Sequence, residues 1–247
     1  MPAAAFDREY LESLLRDRKL GHTVANGGLT PVPVRGSDLR WVVPTGIADL
    51  DARLEGGLPR GHLSEVIGPR SSGRLAILTS ALATATSRGE AVALIDPLDM
   101  FDPVSASVLR HGQAIDFQRV LWVRGEASSS ARVSLSCEYG TMQKSLDRAV
   151  KALNIVLQAG GFGLVALDLG EVAAQTIKRL PYTTWLRLHR AIEGSDTACV
   201  LIGSEPIARS SGGVSVQLTA GQTARVVRAR KMESDHHVRV PLSAAAC

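Results

Sequence analysis

Short, almost unbroken apolar runs at residues 63–67, 91–95, 120–123, 164–167 and 198–202 alternate with longer stretches that have helical spacing. Strands of this composition are buried on both faces, because a solvated face would show a polar residue at every second position. The intervening patterns at 75–88, 104–111, 144–160 and 183–192 supply the crossovers that parallel neighbours require. An α/β fold is therefore expected, with a mainly parallel central sheet flanked by helices. After Ser204 and a Ser/Gly tract at 210–213, three more runs at 214–218, 224–230 and 238–242 read as an antiparallel C-terminal extension of the sheet.

Ahead of this core, Phe6, Tyr10 and Leu14 recur every four residues with Leu11 and Leu15 beside them, while Arg8, Glu9, Glu12, Arg16 and Asp17 point elsewhere. That pattern predicts an amphipathic helix over 6–18. Gly21, Gly27, Gly28, Pro31, Pro33 and Gly36 break any regular structure that follows. The chain thus divides into an N-terminal helix with a flexible linker, 1–38, and a core domain, 39–247. So short a helix has little stability alone, so its apolar stripe is expected to be buried, first in an interface with a partner or a second copy and, as the alternative, against its own core.

Composition excludes several classes. No apolar run approaches the roughly 20 residues of a membrane span, and residues 1–6 do not begin a signal peptide, so a cytoplasmic protein is expected. Cys137, Cys199 and Cys247 are widely separated and form no C-x-x-C pair, which argues against a disulfide framework and a zinc site. His236 and His237 are adjacent on a turn and face apart, so no metal site is expected. A net charge of +4 tolerates nucleic acid without demanding it, and the 4% aromatic content disfavours stacked binding of single strands. Arg228, Arg230 and Lys231 form a dense basic cluster, read either as a phosphate contact or as a charged sheet edge. Asp116, Asp147 and Glu171 read as surface charges.

The stretch that carries chemistry is Gly68-Pro69-Arg70-Ser71-Ser72-Gly73-Arg74-Leu75, placed between an expected strand and an expected helix. A loop of this kind cradles phosphate with backbone N–H groups at a helix N-terminus, and its pattern is Gly-x4-Gly-Lys-Ser/Thr. Both glycines are present at the right spacing. Arg74, however, stands where a compact ammonium is wanted, and Leu75 has no hydroxyl to offer a magnesium ion. Gly68, Arg70, Ser71, Ser72, Gly73 and Arg74 are therefore candidates for a degenerate nucleotide site, read first as a relic kept because the fold needs the turn.

Together with Pro44-Thr45-Gly46-Ile47-Ala48-Asp49-Leu50-Asp51 and Gly56-Gly57-Leu58-Pro59-Arg60-Gly61, this loop resembles the RecA recombinase family. The resemblance implies a Walker B carboxylate at Asp168. It also implies that the water-orienting glutamate of the family is replaced by Leu98, two residues after Asp96, and the sensor glutamine by Ser204. Asp99, one residue on, points differently. The family's two DNA loops correspond to 170–181, with Lys178 and Arg179, and 205–215, with Arg209. Both are short, so any DNA binding is expected to be weak.

A chain of this length with a degenerate loop and no appended C-terminal domain looks like the ImuA type of RecA-like protein. That resemblance implies a non-catalytic accessory in bacterial damage-induced mutagenesis and translesion synthesis, with no cofactor of its own. Its implied partners are RecA, an ImuB-type Y-family polymerase homologue and an error-prone replicative-type polymerase. Two other readings stay open. One is an active ATP-dependent recombinase or DNA-stimulated ATPase; the other is a nucleotide sensor that binds without hydrolysis.

Overall fold

In the computed structural model, which describes residues 40–107, 113–125, 139–207, 213–219, 223–228 and 237–239, all the core apolar runs become strands of one sheet. In chain order the elements are β1 (Val42–Val43), α1 (Ala48–Arg53), β2 (Leu58–Pro59), β3 (Leu63–Ile67), α2 (Arg74–Ser87), β4 (Val92–Asp96) and α3 (Pro103–Ser107). A 3-10 turn (Phe117–Arg119) leads into β5 (Val120–Arg124), then α4 (Tyr139–Ala159), β6 (Leu164–Asp168), α5 (Ala174–Lys178) and α6 (Tyr182–Ile192). The chain closes with β7 (Ala198–Gly203), β8 (Ser215–Leu218), β9 (Thr223–Arg228) and β10 (His237–Arg239). The expected N-terminal helix and linker, with Phe6, Tyr10, Leu11, Leu14 and Leu15, lie outside the described residues, as do Arg209, Arg230 and Lys231.

The sheet runs β10-β9-β8-β3-β7-β6-β4-β5. From β8 to β5 every pairing is parallel, while β9 and β10 are antiparallel. The α/β fold with an antiparallel C-terminal extension is thus present, with one correction: β8 is parallel to β3. The chain enters β8 beside the start of β3, where Gly213 lies against the Leu63 backbone, so after the crossover from β7 it runs in the same sense as β3.

Every residue of β3, β4, β6 and β7 is buried, as unbroken apolar runs require. Period-two alternation divides them between two cores. Val66, Leu94, Ala166, Val200 and Ile202 pack with Ile77, Leu78, Ala81 and Leu82 of α2. Ala93, Ile95, Val165, Leu167 and Leu201 pack with Leu146, Leu153 and Leu157 of α4 and with Trp185, Leu188 and Ile192 of α6. Helices on both faces leave only the strand ends free, and a parallel sheet brings its C-terminal strand ends to one rim. The glycine loop, Asp96, Asp168 and Gly203 all lie on that rim.

The segments 44–51 and 56–61 are structural clamps. Asp51 Oδ1 accepts from the Thr45 N–H and hydroxyl, both at 2.7 Å, and Oδ2 accepts from the Gly46 N–H at 3.1 Å, so the carboxylate of α1 closes the turn that starts it. Gly57, at φ +139°, lies against the Val43 backbone, where any Cβ would collide as β1 pairs with β2.

Candidate functional site

Residues 68–73 join β3 to α2 through two left-handed positions, Ser71 at φ +60° and Gly73 at φ +98°. Gly73 is the N-cap of α2 and among the described residues no side chain caps the helix, so the first turn keeps its backbone donors. Ser72 is buried, and its Oγ has no hydrogen-bond partner among the described residues. It is turned inward onto Gly68, where a Cβ would lie 2.5 Å from Ser72 Oγ and 2.8 Å from Leu218 Cβ of β8. Gly68 is therefore needed for close packing whether or not a ligand binds.

Arg74 opens α2 and is only 4% exposed. Its Nη1 donates to the Gly68 carbonyl at 2.6 Å and its Nη2 to Glu171 Oε1 at 2.6 Å. Arg70 Nε reaches the other oxygen of the same carboxylate at 3.0 Å. Glu171, read from sequence as a surface charge, is thus the shared anion of two arginines. Gly170 makes room for this arrangement, since a Cβ there would sit 2.9 Å from Arg74 Nε and 3.0 Å from Asp168 Oδ1.

Asp168 ends β6 beside this cluster and accepts the Gly170 N–H at 2.9 Å. Burial pushes its carboxyl up to about 6; the charge of Asp96 adds to the shift and that of Arg74 opposes it. Asp96 is itself buried and accepts the N–H groups of Met100 (3.0 Å) and Phe101 (2.9 Å), which shapes the turn after β4. In that turn Leu98 packs on the core shared with α4 and α6. Asp99, at φ +54°, is held by both ends of the Arg124 guanidinium at 2.7 Å. That bonding keeps its carboxyl below the usual range, and Arg124 also stacks 4.5 Å over Trp122. Ser204 is exposed.

The DNA candidates are placed less closely. Lys178 pairs with Glu205 at 2.7 Å, which ties together the two segments expected to be separate DNA loops. Arg179, the C-cap of α5, also has a partner. Arg228 ends β9. Sequence reading missed Glu65, a buried carboxylate on β3 that accepts the Ile207 N–H at 3.0 Å and the Ser215 hydroxyl at 2.5 Å. An acidic residue inside an otherwise apolar strand was the available signal, because a buried charge must find donors.

The donor set does not fit a nucleotide with bound magnesium. Leu75, 45% exposed, offers a hydrocarbon where the ion needs a hydroxyl, and Arg74 is spent on Gly68 and Glu171. Among the described residues, no helix is long and apolar enough to cross a membrane.

The RecA N-terminal domain family matches residues 35–125, from ahead of β1 to the end of β5 and including the glycine loop. Among curated proteins, the chain is 32% identical over 164 residues to Protein RecA of Chlorobaculum tepidum, covering 65% of this chain and 44% of that one. It is 38% identical over 109 residues to Protein RecA of Acidothermus cellulolyticus (43% and 31% covered). With Protein RecA of Nostoc sp. it shares 35% over 89 residues (36% and 24% covered). In each case the matched region is less than half of the relative's length. The parallel sheet, the glycine loop after β3 and the carboxylate ending β6 accompany these similarities, and the chain is RecA-like over the matched region.

Proposed function

We propose that this RecA-like chain is a non-catalytic accessory of the bacterial DNA-damage response, of the ImuA type, working in the cytoplasm during translesion synthesis. It acts through contacts with RecA, an ImuB-type polymerase homologue and an error-prone replicative-type polymerase, and binds DNA weakly. The observation that carries this reading is the use of the loop cation: Arg74 is buried and bonded to Gly68 and Glu171. The neighbouring positions agree, with Leu98 packed against the core and Asp99 bound by Arg124.

A scaffold of this kind should work without loop chemistry. Deleting the gene is expected to lower damage-induced mutagenesis, and Ser72→Ala or Asp168→Asn should restore it to the wild-type level, since both leave the arginine pairings intact. Failure of both stably expressed variants to complement would contradict a non-catalytic role. Undiminished mutagenesis in the deletion strain would contradict the pathway.

A further inference from the structure

The loop still has the makings of an anion site. Its backbone keeps two left-handed positions, and among the described residues α2 starts without a side-chain cap and Ser72 Oγ is buried without a partner. Two guanidinium groups stand at the same place, and between them sits a carboxylate from this chain. We propose that Glu171 is the internal ligand of the glycine loop: its carboxylate pairs with Arg70 and Arg74 and so competes with phosphate anions for them.

Glu171 is itself exposed, yet it is bound on both oxygens by different arginines, which is how a bridging anion is held. The bond from Arg74 is the inner one, deep in the loop. The bond from Arg70 is the outer one, on a side chain 78% exposed, so a competing anion has a point of entry. Gly170 permits the closed form, because any larger residue would press on the Arg74 guanidinium. An incoming anion must displace Glu171 before it gains either arginine, and its apparent affinity falls by the cost of that displacement. The chemical class that fits two guanidinium groups at an uncapped helix start is a di- or triphosphate, bound without metal because Leu75 offers none a ligand.

This inference rests on the reading of the loop as non-hydrolysing, and the two can fail separately. Binding of inorganic pyrophosphate and of ATP, both in EDTA, is measured on the full chain by titration calorimetry. Glu171→Gln should bind at least one of them about tenfold tighter than wild type or better, because wild type must break charge-assisted bonds first. Adding Arg74→Met to Glu171→Gln should abolish the gain. Glu171→Asp, too short to reach both arginines, should fall between wild type and Glu171→Gln, and it decides the matter if Glu171→Gln does not fold. A gain for both probes places recognition in the phosphates, and a gain for ATP alone places it in the nucleotide; either supports the internal ligand. Equal affinities in wild type and the Glu171 variants would overturn it, as would a gain that survives Arg74→Met. Turnover, read separately with magnesium, bears only on the non-catalytic reading.

Discussion

At the end of β6, Asp168 keeps its carboxyl in surroundings that favour the neutral acid, with burial the largest cause of its rise to about 6. The unfolded carboxyl titrates near 3.9, so the folded state holds the proton more tightly and stability falls as pH rises from about 4 through about 6. Asp168→Asn keeps an oxygen for the Gly170 N–H and removes the charge. It should stabilise the protein by about 1–3 kcal/mol at pH 7.5, an advantage that shrinks as pH falls toward 4. Denaturant melts at several pH values check this, and a variant less stable than wild type at pH 7.5 would contradict it. The identities of Arg74, Leu75 and Leu98 were legible in sequence because each breaks a spaced pattern. The role of Glu171 was not, since it lies 97 residues from Arg74 and only the turn after β6 brings them together.

Among the elements, the strands were the most legible, because burial on both faces leaves an unbroken apolar run. The direction of β8 was not, as four residues alternate identically in either sense and the crossover from β7 decides it. Glu65 secures that crossover by binding the N–H of Ile207 and the hydroxyl of Ser215. Removing it strands buried donors. Glu65→Ala should therefore cost about 2–4 kcal/mol in chemical unfolding, and Glu65→Gln, which can still accept one bond, roughly half of that. Equal and small losses for both would show that the carboxylate does not fasten β8 to the sheet. The clamps at Asp51 and Gly57 explain why two of the three RecA-like segments persist without any ligand: each closes a turn that seats β1, β2 and α1.

For the whole molecule, a RecA-like sheet with its loop cation engaged suits a protein that works by contact. The stripe Phe6, Tyr10, Leu11, Leu14 and Leu15 is the proposed contact. Replacing Tyr10 and Leu14 with Asp should reduce oligomer size or abolish RecA binding in sedimentation experiments, without lowering the melting temperature of the core. Earlier melting with unchanged assembly and RecA binding would instead make the segment part of the core's own packing. The most direct measurement is ATP hydrolysis by the full chain with magnesium, with and without single-stranded DNA. Wild type is expected to stay at background in both conditions, and Arg74→Lys with it, because Leu75 and Leu98 remain. Turnover of about 0.01 per second or more, the range of a slow P-loop NTPase with its arginine in place, would contradict a non-catalytic loop.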